Sequence, residues 1–89
     1  MPRYPFALLR NPLTVCGITE TGHVESRHRT AAAAIRAQSA LNRACRHHNG
    51  PGTWVPLALV RLDRDVAVGD PCVADRLSFD DLSDAWDRA

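Results

Sequence analysis

The sequence contains no lysine: all 11 of its basic residues are Arg. It has no run approaching the roughly 18 consecutive apolar residues of a membrane-spanning helix. It also lacks the paired CxxC knuckles with which structural zinc sites usually announce themselves. Large apolar side chains are scarce. Leu, Ile, Val and Phe number 20 of 89, and Ala alone supplies 13 of the residues in the 45% hydrophobic fraction. Such a composition builds a thin core, and a chain this short buries only about two-thirds of its unfolded surface. One domain over residues 1–89 is expected, with a dimer or partner covering part of that core.

Each absence narrows the reading. Met1 to Arg10 has no basic start, long apolar run or small-residue cleavage site, so a secretory signal is not expected. The expected location is the cytoplasm (the host's, if a phage encodes the chain). There Cys16, Cys45 and Cys72 would stay reduced. The missing lysine has a plain cause in a GC-rich coding sequence, which favours Arg, Ala, Asp, Pro and Gly. The alternative is selection of Arg for bidentate contacts to phosphate or carboxylate.

What the sequence does have is a charge map. Residues 1–62 carry eight Arg against Glu20 and Glu25, a balance of +6. Residues 63–89 carry three Arg against eight Asp, a balance of −5. The two cancel to a net +1. Such a division implies an acidic segment folded over a basic surface of its own domain, or two surfaces for two partners.

Pro2, Pro5 and Pro12 disfavour helix at the start, leaving residues 1–12 as an N-terminal arm or edge strand through Phe6–Arg10. Leu13 to Thr19 is rich in β-branched residues, and Thr21-Gly22 offers a turn, so a hairpin returning through Val24–Arg29 is expected. Thr30 is a good N-cap for a helix to about His48. Asn49-Gly50-Pro51-Gly52 would end it, with Gly50 suited to a left-handed cap. Ala34, Ala37, Leu41, Ala44/Cys45 and His48 would form its apolar stripe, and Arg36, Arg43, Arg46 and His47 its other side. Trp54 to Leu62 reads as a buried strand with Pro56 at its start, on an edge or at a bulge. Residues 63–89 form the acidic segment, turn-rich around Gly69, Asp70 and Pro71. They end in a capping box at Ser78-Phe79-Asp80-Asp81 and a short helix with Phe79, Leu82 and Trp86 on its buried side. The fold class is therefore α+β. A small antiparallel or mixed sheet of three to four strands (hairpin, helix, strand) carries one long helix, followed by the short C-terminal helix.

Four kinds of site can be weighed. Arg27, Arg29, Arg36 and Arg43 could track a phosphate backbone, although a solvated helix face explains them as simply. Asp80, Asp84 and Asp87 lie at i, i+4 and i+7 and line one helical face able to meet Arg-rich protein surfaces. Placement near a helix N-terminus also suits Asp80 and Asp81. Cys45 and His48, with Cys16 and Cys72, make a zinc-compatible set, but buried Cys is common and no metal is expected. Ser26 and His28 share a strand face, where a hydrogen bond is the expected relation and not catalysis. No phosphate loop or nucleophile elbow is present, and no cofactor is implied.

In size and composition, the short, Arg- and Ala-rich, lysine-free chain with a hairpin before a helix resembles small proteins of phages and mobile elements in GC-rich bacteria. Among these, anti-CRISPR proteins are small non-enzymatic folds that dock on larger nucleic-acid-handling machines. The resemblance matches no residues, so it carries over no functional positions. It agrees with the leading expectation, a protein-binding inhibitor or modulator using Arg36, Arg43, Arg46, Asp80, Asp84, Asp87 and Trp86. Trp86 or Trp54 would serve as the anchor if either is exposed. The alternative is a small nucleic-acid-binding domain using the Arg stripe, and a homodimer through an uncovered sheet face is a third arrangement.

Overall fold

Strand structure begins well before the β-branched run at Leu13. A computed structural model describes residues 2–88, in the order β1 (Phe6–Thr14), β2 (Thr19–His28), α1 (Ala31–Asn49), β3 (Leu57–Arg61), β4 (Pro71–Arg76) and α2 (Phe79–Arg88). The four strands are antiparallel and close into a barrel in the order β1-β2-β4-β3. This is an α+β fold with one long helix and one short one.

The first hairpin is longer than its sequence suggests, and its turn lies elsewhere. Val15 to Ile18 make the turn, with Cys16 at φ 38° and Gly17 at φ 75°. Val15 N–H closes it on the Thr19 carbonyl at 2.6 Å. Thr21-Gly22 is not a turn but lies inside β2, where Gly22 is opposite Cys72 of β4. Gly22 is needed for a different reason: a Cβ there would sit 2.8 Å from the Arg10 carbonyl oxygen and 3.1 Å from the Leu9 Cβ. The backbones of β1 and β2 pass too closely for a side chain.

Nor is residues 6–12 an arm or an edge strand. β1 is paired on both sides, with Leu8 opposite Ser26 of β2 and Leu59 of β3. Its register with β2 shifts twice, between Leu8 and Leu9 and between Arg10 and Leu13. Such bulges curl a two-stranded ribbon and permit closure with only four strands.

Closure dictates the core. Ala7, Leu9, Val24, Ala58, Val60, Leu62, Val66 and Cys72 form one buried cluster, small and aliphatic as a narrow barrel requires. Leu8 points the other way in the alternation and is fully buried nonetheless. α1 lies against β1, β2 and β3 and buries Ala34 and Ile35. Thr30 caps it as the sequence implies, its Oγ1 accepting from Ala33 N–H at 3.1 Å. Gly50 ends it and donates to the Arg46 carbonyl at 2.9 Å, but at φ 98° and ψ 167° it is extended with positive φ and not the left-handed helical cap expected. The buried stripe is rotated from the expected one, since Ile35 is covered while Ala44 and His48 are exposed. Pro56 precedes β3 and costs the ladder no hydrogen bond. β3 is shorter than residues 54–62, and Trp54 stands outside it at 68% exposure. β4, in the stretch read as turns, supplies the fourth strand.

Two substitutions test this arrangement. Leu8→Ala is expected to cost about 2–5 kcal/mol in urea unfolding, whereas Leu13→Ala, exposed despite lying in the same strand, should change stability by less than about 0.5 kcal/mol. Gly22→Ala should cost roughly 1–3 kcal/mol through overpacking. An unchanged urea midpoint for that variant would contradict the close crossing of β1 and β2.

Candidate functional site

None of the five aromatic rings enters the core. Tyr4 and Phe6 are half-buried, while Trp54, Phe79 and Trp86 are 68%, 82% and 63% exposed. Aromatic side chains usually dominate cores; here they are on the surface.

Two of them owe their exposure to the seating of α2, which differs from the expected one. Phe79, Leu82 and Trp86 were expected to face inward. Instead Ala85 is the buried residue, Leu82 is half-buried, and Phe79 and Trp86 face solvent. α2 packs against α1, where Ala31 and Ala32 line the junction with Ala85. Small side chains let the two helices approach closely, and only a small residue fits between them. The larger ones are turned away.

The seat is fixed by Asp81. Its carboxylate accepts from Arg61 at 2.6 Å and from the Ser78 hydroxyl at 2.9 Å. The Asp81 amide donates back to Ser78 Oγ at 3.1 Å, completing the capping box. The hydrogen bond from Arg61, aided by Ser78, holds the Asp81 carboxyl below its usual pKa. The Arg61 guanidinium also lies 4.9 Å from the Phe6 ring centre, so β1, β3 and α2 meet at one cation.

A second carboxylate, Glu20, escapes sequence reasoning. It is 5% exposed, accepts from Thr14 Oγ1 at 2.9 Å and pairs with Arg76 Nε at 3.4 Å. Arg76 also donates to the Gly17 carbonyl, fastening the hairpin turn to β4. One Glu in an alternating run carries no signal of burial. Glu20 and Arg76 border an open groove of about 790 Å³ that also exposes Pro12, Ile18, Leu59 and Phe79.

The Arg residues singled out from the sequence separate into three groups. Arg27 and Arg29 flank Tyr4, with guanidinium carbons 4.7 and 5.8 Å from its ring centre, and Arg27 donates to the Val66 carbonyl at 3.3 Å. They help hold the N-terminal segment, whose Arg3 and Tyr4 amides bond Asp65. Arg36 lines a groove with Arg29, Asp80 and Asp84, so the acidic helix lies over the N-terminal half of the basic one. Arg43 and Arg46 are exposed farther along α1, away from that groove, and Asp87 is exposed on α2. The sheet closes on itself, so its inner face is filled, and its outer face is covered by α1 along β1, β2 and β3.

The zinc-compatible set is dispersed. Cys16 is exposed in the hairpin turn, Cys72 is inside the barrel and Cys45 is on α1. Among the described residues, no three His, Cys, Asp or Glu gather into a group able to hold a metal. Ser26 Oγ and His28 Nε2 share a hydrogen bond of 2.7 Å. No helix of the described residues is long and apolar enough to cross a membrane. Comparison with known proteins yields no significant match among family models, curated proteins or solved structures.

Burial lowers the pKa of His28 from its ordinary value of 6.5. The unfolded chain therefore protonates first as pH falls, and the His28 contribution to stability is intact well above 6.5. It declines as pH passes down through that value and levels off below the folded pKa. The urea midpoint of His28→Gln should show a smaller loss across this window than wild type. Replacing Arg76 by Ala leaves the buried Glu20 carboxylate without its cation, with the Thr14 hydroxyl still bonded to it, and should cost about 1–3 kcal/mol, read by thermal unfolding.

Proposed function

We propose that the protein is a non-enzymatic binding module, an inhibitor or modulator that docks on a larger protein complex through the outward side of α2. The observation that carries this reading is the exposure of Phe79 and Trp86, 82% and 63%, on a helix that also presents Asp80 and Asp87. Phe79 and Trp86 are seven residues apart and share a helical face. Large exposed rings cost solubility unless a partner covers them, and Trp is enriched among the residues that dominate interface energies. The partner surface that fits is an apolar pocket rimmed by Arg, with the Asp residues supplying steering and register. Docking on a nucleic-acid-handling complex is the form suggested by the resemblance to small phage proteins.

Of the contact residues expected from the sequence, Trp86, Asp80 and Asp87 suit this surface best. Asp80 and Asp84 both belong to its inner margin, where they line a groove with Arg36. Arg36, Arg43 and Arg46 lie on α1 and are not needed for the contact.

The test uses immobilised protein and extract of the source cells. A specific partner should be retained by wild type and by Val68→Ser, a control at another exposed apolar site. Phe79→Ser/Trp86→Ser and, separately, Asp80→Arg/Asp87→Arg should lose it. The aromatic double variant should keep its unfolding free energy to within about 0.5 kcal/mol per site. Retention of the same partner by both α2 variants would refute docking through this helix.

A further inference from the structure

The second exposed tryptophan lies in a different electrostatic setting. Residues 26–62 contain six Arg and not one Asp or Glu. Within that stretch, Arg43, Arg46, His47 and His48 are all exposed in the C-terminal half of α1. Among the described residues, the ion pairs run through Arg10, Arg61, Arg64 and Arg76, none of which is on α1. Basic residues in a last helical turn complement the helix dipole, which accounts for Arg46, His47 and His48 but not for Arg43, a turn earlier. The acidic helix that faces Arg29 and Arg36 does not line this end. α1 is roughly 28 Å long at 1.5 Å per residue, so its two halves present different surfaces.

Trp54 is held beside this basic end. After Gly50 the chain doubles back along α1: Val55 N–H donates to Asn42 Oδ1 at 2.8 Å. Thr53 Oγ1 donates to the Gly50 carbonyl at 2.7 Å and approaches the Cys45 carbonyl at 3.4 Å. Residues 53 and 55 are thus both fastened, while the ring between them is 68% exposed. Asn42 is one helical turn from Arg46, so the strap passes next to the Arg row. A fixed backbone beneath an exposed indole reduces the ordering cost of stacking something on it.

We propose that Arg43, Arg46 and His47, with Trp54, form a contact surface for single-stranded nucleic acid. The Arg side chains meet phosphates and the indole stacks on an unpaired base. The alternation of cation and ring is the arrangement by which proteins hold single strands without sequence preference. Duplex is disfavoured because its bases are stacked on one another and offer no free face to an indole. The stripe differs from Arg27, Arg29, Arg36 and Arg43 as read from the sequence. Arg27 and Arg29 flank Tyr4, Arg36 faces the acidic helix, and only Arg43 is common to both. The inference is independent of the docking surface on α2, and either stands without the other.

The experiment uses the full chain carrying Trp86→Phe, which leaves Trp54 as the only tryptophan. Fluorescein-labelled oligo-dT and oligo-U of about 12 nucleotides, a duplex of equal length and heparin are titrated across a salt series, with anisotropy and tryptophan emission recorded. Either single strand should bind with micromolar affinity or better at low salt and quench Trp54. A preference between them tells which nucleic acid is taken. Trp54→Ala should weaken binding about 5- to 100-fold while Trp54→Phe keeps most of it. Arg43→Ala/Arg46→Ala should weaken binding and reduce the salt slope by about two. Absence of binding at low salt overturns the proposal. So does duplex or heparin binding as tight as single strands, or affinity indifferent to Trp54→Ala. Circular dichroism of each variant confirms that the fold is retained.

Discussion

A barrel closed with only four strands has almost no interior, and that restriction governs the rest of the molecule. The space inside is filled by Ala7, Leu9, Val24, Ala58, Val60 and Cys72, with Leu62 and Val66 closing one side. No ring belongs to that cluster. Closure also demands tight curvature, supplied by the two register shifts of β1 and the side-chain-free crossing at Gly22. Because so little can be buried inside, stability depends on a second layer outside the barrel, where α1 packs on β1, β2 and β3 and buries its Ile35, and where Leu8 of β1 is also buried. The thin aliphatic composition is thus a property of this architecture, and the displacement of aromatics to the surface follows from it.

The parts legible from the sequence are those decided by local chemistry. Thr30 and Gly50 bound α1 because capping depends on a few neighbouring backbone groups, and Ser78 with Asp81 starts α2 for the same reason. The parts that were not legible depend on long-range closure. Thr21-Gly22 has the composition of a turn, yet its glycine serves a close crossing with residues far back in β1. Pro71 follows Gly69 and Asp70 as in a loop, yet it opens β4, whose pairing with β2 is possible only once the barrel has formed. Trp86 has the spacing of a buried residue, but the alanine-rich start of α1 selects Ala85 instead. The asymmetry of charge was readable; which Arg remained open was not, because that depends on where α2 comes to rest.

The acidic and basic halves of the chain are partly reconciled within the fold. α2 lies across the beginning of α1, where Arg29 and Arg36 share a groove with Asp80 and Asp84. The remainder is left as two regions of opposite sign, each with an exposed indole, at Trp86 and at Trp54. The Arg61–Asp81 contact at 2.6 Å sets this division, because it fixes where the acidic helix ends its travel over the basic one.

The pairing of β1 on both sides has a further consequence. Proteins commonly recognise extended peptides by letting them join a sheet as an additional strand, and the same exposed backbone invites self-association. Here each strand has a neighbour on either side, and β1 is paired on both sides from Phe6 to Arg10, so an incoming segment finds no open edge there. The short β3–β4 seam, two residue pairs long, is the weakest stretch of that closure. Recognition along the doubly paired stretch of β1 is accordingly written in side chains, which can change sequence without altering the barrel that displays them.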